Sequence, residues 1–236
     1  MKLVGKGRSV FDLTKVDNST VRVFFSSDFP AGFKDKELNQ KIKSPEGVSF
    51  EVEVPVYKIL ELYLRVKTFE NSFSEVSDFI ALSSDDDKKV VKVFKHLSNP
   101  NNLCLLGIDY NEKKAGIVYL NHTIYRFVLF TTYLQTFLQN FPVLSYKVAS
   151  IEFTYNREEQ LLTVLDADFD KFHYIERDEL NVMKQILDNY YQKNILFTHS
   201  FTPDRNIFID KDEVFYVNDK RFDLTLFKQI VYMIQI

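Results

Sequence analysis

Apolar and polar positions alternate along the first part of the chain. Val21, Val23 and Phe25 alternate with Arg22, Phe24 and Ser26, and Val48, Phe50, Val52 and Val54 alternate with Ser49, Glu51 and Glu53. A period of two puts one set of side chains on a core face and leaves the other wet, so both stretches predict strands. Between them runs FPAGFKDKELNQKIKSPEG, rich in lysine and turn residues, which predicts a long loop. Pro55 then opens a short helix, VYKILELYLRV, with Val56, Ile59, Leu60, Tyr63 and Leu64 on one face. A strand near 76–82, a turn at 85–89 and a further strand, VVKVFKHL, follow.

The clearest unit comes next. NLCLLGIDY is a strand, NEKKAG a hairpin turn and IVYLNHTIY the returning strand. From about 127 to 141 the period becomes helical, through Phe127, Phe130, Thr131, Leu134, Phe137, Leu138 and Phe141, and Pro142 stops it. The same order returns twice. SIEFTYNREEQLLTVLD reads as a hairpin and ERDELNVMKQILDNYY as a helix; NIFIDKDEVFYVNDKRF is again a hairpin and LTLFKQIVYMIQI a terminal helix. Short connections between strands require antiparallel pairing, so the class is α+β with antiparallel sheets.

Composition narrows the picture. At 236 residues, 45% hydrophobic and 27% charged, the chain can bury a real core as one large domain or two smaller ones. Aromatic content is high, with 23 Phe, 13 Tyr and no Trp. A single cysteine, Cys104, excludes an internal disulfide and a cysteine metal cage. Six glycines in the whole chain leave no glycine-rich phosphate loop. No apolar run has membrane-spanning length and the N-terminus has no signal-like core, which predicts a soluble cytoplasmic protein (host cytoplasm, if the chain is viral), not a secreted one. Net charge is −3 but unevenly placed: residues 1–47 carry +3, 48–142 carry −1 and 143–236 carry −5. A basic front end suits an anionic partner.

The first 142 residues resemble the whirly family of single-stranded-DNA-binding proteins, relatives of the transcriptional positive cofactors. Lys6-Gly7-Arg8-Ser9-Val10-Phe11 stands where that family opens with Lys-Gly-Lys-Ala-Ala-Leu. TVRVFFSSDFP is similar to its second strand, GVSFEVEVPVYKILELYL to its third strand and first helix, and KKVVKVFKHL, NLCLLGIDYNEK and AGIVYLNHTIYRFVLFTTYLQTFLQNFPVL follow in its order. Pur-alpha proteins share the same strand-strand-strand-strand-helix logic. The resemblance implies a whirly-like nucleic-acid-binding domain over 1–142, a homo-oligomer without cofactor, and an accessory role in replication, recombination or transcription of a viral or phage type. Residues 143–236 have no counterpart in the family. They form an acidic α+β extension suited to docking replication or transcription proteins.

Candidate chemistry follows. Lys6 with Arg8, and Arg22 with Phe24, share strand faces by alternation, offering phosphate neutralisation beside a stacking ring. With Gly7 and Phe11 they make the expected binding face, and Lys34, Lys36, Lys41 and Lys43 supply a basic loop. Asp166, Asp168 and Asp170 alternate ahead of His173. On one strand they would share a face able to hold a divalent cation, as in a nuclease; otherwise they form a solvated acidic loop. His96, His122, His173 and His199 lack ligand spacing, and Cys104 sits in an apolar strand as a buried thiol. The reading is a non-enzymatic single-stranded nucleic-acid-binding protein. The alternative is an assembly protein that docks a protein partner through its sheets.

Overall fold

The computed structural model describes residues 2–5, 7–29, 47–68, 80–84, 86, 88–96, 99–119 and 126–236. Lys6, Lys34, Lys36, Lys41, Lys43 and most of the expected strand near 76–82 lie outside them, as do Asp85 and Asp87 of the expected turn.

The chain is α+β and repeats one module four times. Strands β1 (Lys2–Val4), β2 (Val10–Lys15), β3 (Thr20–Ser27) and β4 (Val48–Pro55) lead into helix α1 (Val56–Thr68). Strands β5 (Ile80–Ser83), β6 (Lys89–His96), β7 (Asn99–Asp109) and β8 (Lys114–Tyr119) lead into α2 (Arg126–Leu138). Strands β9 (Val143–Val148), β10 (Ile151–Asn156), β11 (Leu161–Asp166) and β12 (Lys171–Ile175) lead into α3 (Arg177–Lys193). Strands β13 (His199–Ser200), β14 (Ile207–Ile209), β15 (Val214–Val217) and β16 (Lys220–Asp223) lead into α4 (Leu224–Ile234). Each set of four strands is its own antiparallel sheet, paired in sequence order. The C-terminal part is therefore no simple run of hairpin and helix. β9, β12, β13 and β16 complete two further four-stranded sheets that the sequence pattern does not announce.

Two compact units result, Met1–Asn140 and Phe141–Ile236, each holding two modules. In the first unit the alternation of β3 and β4 buries Val21, Val23 and Phe25 with Val48, Phe50, Val52 and Val54. The rings of Phe25 and Phe50, directly opposite in register, stack 5.6 Å apart. Gly107 faces Gly116 across β7 and β8. A Cβ on Gly107 would enter the ring of Phe25, and one on Gly116 would meet Ser27 and Val48. These two glycines are thus where the first sheet seats on the second. The Ser27 hydroxyl, donating to the Ile117 carbonyl at 2.7 Å, fastens that seat.

Helix α1 starts one residue after Pro55, which itself closes β4, and buries Ile59, Leu60, Leu62, Tyr63, Leu64 and Val66. In the second unit Asn194 ends α3 in the left-handed conformation, with its N–H on the Tyr190 carbonyl. The Asp223 side chain caps α4 by accepting from the Thr225 N–H at 2.9 Å. That helix is apolar nearly all round and buried nearly all round, as such a composition requires.

One expected site residue is overturned by the packing. Phe11 is 0% exposed, with its ring 6.1 Å from Phe130 and 6.0 Å from Tyr133. On β2 it alternates with Asp12, so it belongs to the core face, where it cannot meet a ligand. Arg8 is also not on a strand. It lies exposed in the turn before β2, beside Gly7, whose φ of 66° is a backbone state that favours glycine.

Candidate nucleic-acid interface

The outer face of the first sheet carries Arg22 and Phe24, and its register shows what surrounds them. Across the strands run Lys2, Asp12, Phe24 and Glu51 in one row, and Thr14, Arg22 and Glu53 in the next. Phe24 therefore sits between two carboxylates. The Arg22 guanidinium donates to Glu53 Oε1 at 2.9 Å. That hydrogen bond and charge, with Glu51 adding, raise Arg22 above its ordinary pKa. Arg22 and Phe24 are neighbours as expected, but the face they share is mixed in charge and its one described guanidinium is already paired.

The outer face of the fourth sheet is different. Ile207, Ile209, Phe215 and Val217 fill the core side, which turns Phe208, Tyr216 and Arg221 outward. These three lie directly opposite one another across β14, β15 and β16. The Phe208 and Tyr216 rings stack 4.3 Å apart at 10°. On the free side of Phe208 the Arg205 guanidinium lies 4.7 Å from the ring centre. Arg205, Phe208 and Tyr216 thus form a column, and Arg221 stands opposite Tyr216 at its far end. Among the described residues neither Arg205 nor Arg221 takes part in an ion pair. A guanidinium held over a ring by cation–π attraction retains N–H groups that can bind phosphate oxygens.

Composition did not single out this column, because every position of IFI and VFYV is apolar. A period of two then cannot say which rings face out. Arg205 just before one strand and Arg221 in the next hairpin were the only signals, and they mean something only once the register is known.

The acidic triplet resolves into a third arrangement. Asp166 ends β11, Asp168 lies in the following turn, and Asp170 has a positive φ of 49° just before β12. They share no strand face. Asp166 is 0% exposed, and both its oxygens are occupied: Oδ1 by Lys220 Nζ at 2.6 Å and the Asp168 N–H, Oδ2 by Asn218 Nδ2 at 2.9 Å. Lys220 Nζ also donates at 2.6 Å to Asp168 and to Ser150 Oγ, and Asn218 Oδ1 pairs with His173 Nε2 at 2.8 Å. Burial pushes the Asp166 carboxyl up, but the hydrogen bonds from Lys220 and Asn218 outweigh it and hold it below the usual value. Desolvation pulls Lys220 down, and its two carboxylate partners more than reverse this. An ammonium with all three donors engaged is neither a base nor a nucleophile. Among the described residues no cluster of His, Cys, Asp and Glu could hold a metal ion. The group is a clasp that ties the turn after β11 to the turn before β16.

His199 pairs with Glu179 of α3 at 2.8 Å, and Cys104 is buried in β7. Among the described residues no helix is long and apolar enough to cross a membrane. No family model matches this sequence, and no curated protein or solved structure matches it either.

Proposed function

We propose that the chain binds single-stranded nucleic acid, without chemistry of its own, as an accessory protein of replication, recombination or transcription. The observation that carries this reading is the column on the fourth sheet: two guanidiniums with no ion pair among the described residues, at the two ends of a stacked aromatic pair. Single strands need cations for phosphates and ring faces for bases, and their bases are free to stack. A base can continue the column at either end while the displaced guanidinium moves onto the adjoining phosphate. Duplex bases are already stacked and gain nothing there. The four strand-strand-strand-strand-helix modules agree with the whirly and Pur-alpha resemblance of the first 142 residues. The Lys220 clasp supports the non-enzymatic side, since the group most like catalytic machinery is locked by its own charges.

Fluorescence anisotropy of a dye-labelled oligothymidylate, against a duplex of equal length, tests the reading. The single strand should bind more tightly, with log K falling linearly in log salt. No salt-dependent binding at low ionic strength would overturn it.

A further inference from the structure

The free edge of the third sheet carries two exposed aromatic side chains. β12 is hydrogen-bonded to β11 on one side, and no other described strand takes its second side. Edge strands expose unpaired N–H and C=O groups that template another strand, and most are blunted by charge, proline or a bulge. β12 has no proline and no register shift, and its one charged residue is the exposed Lys171 at its start. Its outward residues are Phe172 and Tyr174, 52% and 60% exposed.

We propose that β12 seats a second copy of this chain, the two β12 strands pairing antiparallel about a two-fold axis at His173. Closed two-fold dimers place the same patch on both sides, so the patch must complement itself. In this register Phe172 stands opposite Tyr174 of the second copy, and Tyr174 opposite its Phe172. Opposed residues share a face, so the four rings form two cross-strand aromatic pairs on the outer surface. The charges at the two ends are mixed. The leading end of the strand carries Asp170 and Lys171 and the trailing end Glu176 and Arg177. Antiparallel pairing sets Asp170 directly opposite Glu176 of the second copy, with Lys171 and Arg177 next to that pair, so the aromatic pairs and not the charges set the register. Neighbouring registers fail. An axis at Phe172 puts Tyr174 against Asp170, and one at Tyr174 puts Phe172 against Glu176 and Lys171 against Arg177. The product is a continuous sheet running from one β9 to the other. The column on the fourth sheet takes no part, so the dimer and the nucleic-acid reading stand or fall separately.

Sedimentation velocity of the full chain from micromolar to hundred-micromolar concentration reads the assembly. Wild type forms a dimer across that range, and the doubly substituted Phe172→Lys, Tyr174→Lys chain, changed only at exposed positions, dimerises at least tenfold more weakly with an unchanged circular dichroism spectrum. Paired cysteines read the register. Phe172→Cys combined with Tyr174→Cys brings opposed Cβ atoms to about 4.5–5.5 Å and oxidises to a covalent dimer. Either cysteine alone meets its copy only across the diagonal, about 7–8 Å away, and crosslinks slowly. A wild type monomeric throughout, a dimer indifferent to both lysines, or single variants that crosslink as fast as the double one would overturn the proposal.

Discussion

The outer faces of the first and fourth sheets start from the same ingredients. Each carries arginine and aromatic side chains on adjacent positions of an antiparallel meander. On the first, the register brings Glu53 to Arg22 and sets Phe24 between Asp12 and Glu51. On the fourth, it brings Tyr216 to Phe208 and Arg221 to Tyr216, with no carboxylate in that row. Alternation along one strand says which residues share a face. Only pairing across strands says whether a cation there is already neutralised, and that decides what the face can bind.

The largest expected effect tests the assignment of β2. Phe11→Ala should cost about 3–5 kcal/mol of stability, because a fully buried ring leaves a cavity beside Phe130 and Tyr133. Urea unfolding of the variant measures this. A change under ~1 kcal/mol would return Phe11 to the surface and add a second ring to the first face beside Phe24.

Much of the first unit is legible in its sequence because its periods are clean. The β4 alternation and the α1 stripe each specify a face without outside help, and the hairpin around NEKKAG pairs neighbours in the chain. The second unit hides more. β9, β12 and β16 interleave apolar, aromatic and charged residues with no dominant period. The Asp166 clasp depends on Lys220, far along the chain and on another sheet, so the triplet reads from sequence as a metal site or an acidic loop; Asp168 and Asp170 do lie in an exposed turn, and the engagement of the buried Asp166 is what the sequence hides. Arg22 and Phe24 were legible as neighbours, whereas the carboxylates opposing them were visible only as the polar half of another strand.

The next effect sharpens the contrast in binding. Arg205→Ala with Arg221→Ala should weaken oligothymidylate binding by tenfold or more at low salt and lower the log–log salt slope by about 1.4, near 0.7 for each lost phosphate contact. Arg22→Ala should leave affinity within about twofold, since the ion pair with Glu53 already offsets its charge. Anisotropy titrations at several salt concentrations compare the two. Equal losses would mean that the first face binds after all.

The clasp connects stability to the second face, because Lys220 is the residue before Arg221 and fixes the start of β16. The carboxyls of Asp166 and Asp168 lie below the usual 3.8, so their contribution is full above that pH and is lost as pH falls through their folded values. Lys220 lies above 10.5, so its part is lost only in strong alkali. Asp168 is 58% exposed and contributes less, being screened by water. Lys220→Met should lower Tm at pH 7 by several degrees, leaving Asp166 buried without its cation, and the gap to wild type should close toward pH 3 as Asp166 takes a proton. Thermal melts across pH measure it. A gap independent of pH would mean that the lysine acts by packing alone.

The smallest effect runs the comparison in reverse. If neutralisation alone silences the first face, removing its acids should awaken it. Glu51→Gln with Glu53→Gln keeps the size and hydrogen-bonding capacity of both side chains while deleting two charges, so the sheet should keep its stability within about 0.5 kcal/mol. Arg22 then becomes available to a phosphate beside a ring at Phe24 that loses one of its flanking carboxylates. The salt slope should steepen by at most about 0.7, the share of one contact on a single strand, and affinity should rise a few-fold at low salt. The gain should vanish when Arg22→Ala is added, which separates a new contact from a general loss of negative charge. That control matters because deleting two charges anywhere on the chain strengthens attraction to a polyanion slightly. A gain that survives Arg22→Ala would show that net charge governs binding and that cross-strand pairing does not. The distinction drawn between the two faces would then fail.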